Sequence, residues 1–94
     1  MNSYTVRIEL HSNLYPDFIS LHNQMEKEGF SRLITSDTGV TYHLPRAEYD
    51  ISTMKPTSEV LESAKRAMRE AGKTGEILVT KSSGRMWSGL SEVK

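Results

Sequence analysis

Tyr4-Thr5-Val6-Arg7-Ile8-Glu9-Leu10-His11 alternates apolar and polar side chains without a break. A period of two puts Tyr4, Val6, Ile8 and Leu10 on one face of a β-strand and Thr5, Arg7, Glu9 and His11 on the other. A strand with one apolar face asks for cover on that face alone, leaving the polar set to water or to a partner.

The flanking sequence supplies that cover. Ser12 and Asn13 interrupt the strand, and Pro16 suits a first helical turn, where its missing N–H costs nothing. Leu14, Phe18, Leu21, His22 and Met25 then recur at helical spacing, with Gly29 as the left-handed residue that stops the helix. Phe30 to Ile34 reads as a second strand, Asp37-Thr38-Gly39 as a turn and Val40 to Leu44 as the hairpin partner. Pro45 breaks the ladder locally, and the alternation of Ala47, Tyr49 and Ile51 carries the strand on past a bend. Thr57 or Ser58 can cap a second helix with Glu59 and Glu62 in its first turns. Its apolar stripe is Val60, Leu61, Ala64, Ala67, Met68 and Ala71, and Gly72 and Gly75 end it. Glu76 to Lys81 is the next strand; after Ser82-Ser83-Gly84, Arg85-Met86-Trp87 leaves room for a short fifth, and 91–94 are expected to fray.

The order strand, helix, strand, strand, helix, strand predicts an α+β, ferredoxin-like βαββαβ sandwich. Its four-stranded antiparallel sheet carries two helices on one face. Ninety-four residues suit a single domain, 1–94. With 36% hydrophobic and 26% charged residues, the composition is that of a globular chain. Twelve basic side chains balance twelve acidic ones, which argues against nonspecific coating of a polyanion. Without cysteine there is no disulfide, no thiolate zinc site and no cysteine nucleophile. Met1-Asn2-Ser3-Tyr4 enters the strand directly, without the basic and apolar regions of a signal peptide, and no apolar run approaches membrane-spanning length. A cytoplasmic location, away from the membrane, is expected.

No Gly-rich phosphate loop, His-Glu-x-x-His, Gly-x-Ser-x-Gly or EF-hand pattern is present. Gly84-Arg85-Met86-Trp87-Ser88-Gly89 follows a turn instead of opening a helix, so dinucleotide binding is not expected. His11, His22 and His43 are scattered; no metal site and no cofactor are expected, and His22 reads as a packed residue. His11 and His43 meet only if the first and third strands are neighbours. The polar face of the first strand holds the chemistry. Arg7, with Arg32 nearby, suits phosphate; His43 or His11 suits transfer of a 2′-hydroxyl proton; Glu9 suits orientation of either. A solvated face with cross-strand Arg–Glu pairs is the plain alternative. Lys81, Arg85 and Trp87 form a second candidate patch, with Trp87 stacking on a base, docking at a subunit contact or packing under the sheet. The sheet of an RNA-recognition motif would carry exposed aromatics, and the first strand has none on its polar side.

Tyr4-Thr5-Val6-Arg7-Ile8-Glu9-Leu10-His11, Met25-Glu26-Lys27-Glu28-Gly29-Phe30-Ser31-Arg32 and Thr41-Tyr42-His43-Leu44-Pro45-Arg46-Ala47-Glu48-Tyr49 together resemble a family of small bacterial proteins related to the GhoS antitoxin. Val79-Thr80-Lys81-Ser82-Ser83-Gly84-Arg85-Met86-Trp87 is similar to that family's close. The resemblance implies a type V toxin–antitoxin system and an endoribonuclease that cleaves the toxin's messenger RNA, on a ferredoxin-like fold similar to that of CRISPR-associated small nucleases. RNA is then the expected partner, and a homodimer the expected assembly. The contrasting expectation is a non-enzymatic interaction module whose polar face or edge strand meets another protein.

Overall fold

The computed structural model describes residues 1–11 and 15–94, with Tyr15 as backbone only. Its elements are β1 (Asn2–Leu10), α1 (Tyr15–Lys27), β2 (Leu33–Thr35), β3 (Thr41–His43), β4 (Glu48–Thr53), α2 (Thr57–Glu70) and β5 (Gly75–Lys81). The break expected at Ser12 and Asn13, and the place of Leu14 in the helical stripe, lie outside the described residues.

β1 is the middle strand, antiparallel to β4 on one side and to β5 on the other. Its apolar set, Tyr4, Val6, Ile8 and Leu10, is buried against Phe18, Leu21 and Met25 of α1 and Val60, Ala64, Ala67 and Met68 of α2. Each large side chain so buried contributes about 1.5–3 kcal/mol, which makes the alternation of β1 the main determinant of which way the sheet faces. Both helices lie on that one side, as the periodicity predicts. They also end alike. Gly29 (φ 94°) lets Gly29 N–H reach the Glu26 carbonyl and Phe30 N–H the Met25 carbonyl; Gly72 (φ 70°) does the same for the carbonyls of Arg69 and Met68. The expected cap at Thr57 or Ser58 is replaced by Pro56, which makes no side-chain cap bond; Thr57 is already helical, and the Pro56 carbonyl accepts from Glu59 and Val60.

The structure is mixed α+β with antiparallel sheets, but the four-stranded sheet is divided in two. β4-β1-β5 form a three-stranded sheet, and β2-β3 form a separate two-stranded one. The expected second strand is bridged to the larger sheet at Ser31, which exchanges two 2.8 Å backbone hydrogen bonds with Asp50. Ser31 Oγ then accepts the Leu33 N–H at 3.0 Å, and the Arg32 carbonyl accepts from Leu44 at 2.8 Å. That turn spends on the hairpin the backbone groups a longer ladder with β4 would need.

The strand expected to bend and continue through Pro45 changes sheets instead, with β3 pairing β2 and β4 pairing β1. Arg85-Met86-Trp87 is irregular and not a fifth strand of the sheet. The last residues are not frayed: His43 N–H donates to Ser91 O (2.8 Å), Val93 N–H to Thr41 O (2.9 Å), and Tyr42 bridges Glu92. The C-terminal segment is thus held against the outer edge of the hairpin.

Candidate functional site

The face of the larger sheet away from the helices carries Thr5, Arg7 and Glu9 of β1, Glu48 and Asp50 of β4, and Glu76, Leu78 and Thr80 of β5, as alternation and register require. Arg7 is flanked across the strands by Glu48 and Leu78. Its Nη2 lies 3.8 Å from Glu9 Oε2, with the two side chains 61% and 58% exposed. A pair so open to water is worth tenths of a kcal/mol, so Glu9 biases the Arg7 guanidinium without tying it up. His11 lies just past the end of β1 and leaves that row: it lines a hollow with Lys65, Met68 and Arg69 of α2 and with Ile77, on the helix side of the sheet, whereas the sequence alternation places it on the polar face. Its backbone N–H donates to Thr74 O (3.0 Å), and its Nδ1 sits 3.2 Å from Thr74 Oγ1. Thr74 therefore engages one ring nitrogen and leaves Nε2 as the atom able to exchange a proton with a ligand.

The other predicted residues are dispersed. His43 is on β3 opposite Leu33, in the smaller sheet, so the adjacency that would join it to His11 does not form. The alternation that turns Tyr42 towards Trp87 sends His43 to the opposite side of the hairpin. Arg32 lies at the bend after Ser31, and its charge acts on His22 and Tyr49, on the helix side of the sheet and away from Arg7. Lys81 ends β5 opposite Tyr4.

The second patch becomes a wall. Arg85 Nη1 donates to Asp50 Oδ1 at 2.6 Å and to Thr5 Oγ1 at 3.2 Å, and the ion pair is only 26% and 18% exposed. This anchors the irregular segment across the open face. Trp87 meets Tyr42 edge to face, with ring centroids 5.6 Å apart and planes at 69°. Between the sheet, the hairpin and this segment lie two adjoining hollows. The larger, of about 600 Å³, is lined by Asn2, Ser36, Thr38 and Tyr42; the other, of about 540 Å³, by Thr5, Leu44 and Glu48. Ile34 and Arg85 to Trp87 border both. Tyr42 and Leu44 both face this cleft, and their alternation with His43 is the sequence signal that they share a side.

On the helix side, His22 packs against Tyr49 with Nδ1 2.6 Å from the phenolic oxygen, and its buried Nε2 has no hydrogen-bond partner among the described residues. Burial first, then the charges of Arg32 and Arg46, lower its pKa from 6.5 to about 4; burial pushes the Tyr49 phenol up. The folded chain therefore resists a proton that the unfolded chain accepts. His22 contributes stability that is complete above 6.5 and is lost as the pH falls towards about 4. The expected loss is about 1–3 kcal/mol, read from urea midpoints at about pH 7 and about pH 4.5. His22→Gln, which keeps a polar partner for Tyr49 and cannot titrate, should show a smaller loss; an equal one would assign the acid sensitivity elsewhere.

A family model described as Endoribonuclease GhoS matches residues 1–83. A search of curated proteins returns no match.

Proposed function

The chain belongs to the GhoS endoribonuclease family, and from that premise we propose that it is an antitoxin that cuts the messenger RNA of a toxin. The observation that carries this reading is the row Thr5, Arg7, Glu9 on the open side of β1, where a guanidinium and a carboxylate stand at two-residue spacing, with the His11 imidazole just past the end of the strand. An RNA strand along that row would set a phosphate against Arg7, with Glu9 orienting the guanidinium. His11 would take the proton of the 2′-hydroxyl as that oxygen bonds to phosphorus and the bond to the 5′-oxygen breaks; the departing oxygen must in turn gain a proton. RNA supplies its own nucleophile for this step, so no cofactor is invoked. His43 is the alternative proton-transfer group.

Lys81, Arg85 and Trp87 would continue the RNA path towards the cleft, the unspent nitrogens of Arg85 facing phosphate. Arg32 would meet only a strand that rounds the β4 edge. We read the fold as ferredoxin-like, with its outer strand peeled away into the hairpin. β5 is an edge strand with Leu78 63% exposed, which supports pairing of two copies as a homodimer. A cytoplasmic site of action goes with a messenger RNA substrate.

Purified protein and Arg7→Ala should be compared on a toxin-type transcript. Loss of the phosphate contact should lower cleavage about tenfold; equal rates would remove Arg7 from the site. One observation favours a rival reading as a protein-binding module: Glu9, Glu48, Asp50 and Glu76 make the open face rich in acid. A salt titration separates the two, because phosphate contacts weaken steeply with salt and a protein-binding module would show negligible RNA affinity throughout.

A further inference from the structure

We propose that the cleft between the open sheet face and the C-terminal segment binds an unpaired base of single-stranded RNA, stacked on Trp87, and excludes duplex. The inference rests on the RNA-acting reading and adds to it a substrate class and a place. The Arg85–Trp87 wall lies beyond residues 1–83, the part of the chain that the family model matches.

Three features of the cleft support this. Its walls are aromatic where a base would slide in: Trp87 and Tyr42 stand edge to face, and Met86 beside them is 98% exposed. A flat base gains by stacking on such rings whatever its identity, which suits a protein that handles extended RNA. Asn2, Ser36 and Thr38 line the same hollow with amide and hydroxyl groups able to meet base edges. The about 600 Å³ hollow is of a size that holds a small organic group. Sheet, hairpin and segment border it on three sides, so a base swung out of a single strand can reach Trp87 more readily than one paired inside a helix.

The cleft is also built in advance. Arg85 bonds to Asp50 and Thr5 on the sheet, and Ser91 and Val93 pair with the hairpin, so the segment is fastened on both sides of Trp87. Binding therefore need not first order a loose tail, which favours affinity.

Trp87 is the only tryptophan, so emission excited selectively at tryptophan, and not at the four tyrosines, reports this site alone. The probe is a short single-stranded RNA carrying 2′-O-methyl groups, which resists cleavage through the 2′-hydroxyl, compared with the same strand annealed to its complement. The single strand should quench Trp87 emission with the midpoint found by anisotropy of labelled RNA, and the duplex should neither quench nor compete. Trp87→Ala should weaken binding about 5- to 150-fold, and Trp87→Phe should restore most of it. Binding without quenching, equal quenching by duplex, or wild-type affinity in Trp87→Ala would each overturn the cleft proposal while leaving the RNA-acting reading in place. Absence of both binding and cleavage in the unmodified chain would end both.

Discussion

His11→Ala should lower the rate of transcript cleavage by about 10²- to 10⁴-fold, the usual worth of a positioned proton-transfer group, while leaving the thermal unfolding midpoint close to that of the unmodified chain. Geometry selects His11 over His43. It follows Glu9 by two residues at the end of the central strand, and Thr74 Oγ1 at 3.2 Å steadies one ring nitrogen while Nε2 stays available. Its side chain is exposed and outside the core, so little folding energy rides on it. His43→Ala is the companion measurement, because His43 lies in the other sheet with its alternation directed away from the cleft. A large loss in His43→Ala with none in His11→Ala would move proton transfer to the hairpin. Thr74→Val should act through His11, shifting the pH–rate profile more than it changes binding, since it removes only the group that steadies the ring.

Gly75→Ala should cost about 3 kcal/mol of folding stability, at the upper end of what one added methyl does in a packed site. Gly75 opens β5 and pairs with Leu10. A Cβ there would fall well inside van der Waals contact with the Glu9 carbonyl oxygen, 3.0 Å from Leu10 Cα and 3.1 Å from the Glu9 carbonyl carbon. These obstacles are all backbone of the central strand, so relief requires the β1–β5 ladder to move. Gly39→Ala is the control: its φ of 88° strains an alanine, yet nothing lies within 4 Å of the added carbon, and the expected cost is about 1 kcal/mol. Urea unfolding of both variants decides the matter, and equal midpoints would refute the steric account. Because Gly75 follows Thr74, the same substitution should displace the His11 support and depress cleavage in whatever fraction remains folded.

The alternation from Tyr4 to Leu10 made the central strand and its buried face legible, because a period-two pattern has one solution once helices are available to cover it. The helical stripes from Phe18 to Met25 and from Val60 to Met68 were legible for the same reason, and Gly29 and Gly72 marked where those helices stop. The split of the sheet was not. Phe30 to Ile34 has strand character, but whether it continues along β4 turns on Ser31 Oγ capturing the Leu33 N–H, a local bond whose competitor is a distant strand. Arg85 and Trp87 stood out by residue type, yet their partners Asp50, Thr5 and Tyr42 are 35 or more residues away in the chain.

By itself, the order of residues determined two amphipathic helices over one face of a strand bearing Thr5, Arg7 and Glu9 on the other, since period and polarity are properties of neighbours along the chain. Only the tertiary structure decided that the hairpin leaves the sheet, that His43 parts from His11, and that the last residues fold back to wall a cleft. These outcomes depend on which of several hydrogen-bonding partners a backbone or guanidinium group reaches in space, and nothing local distinguishes Asp50 from the other acids that Arg85 could have met.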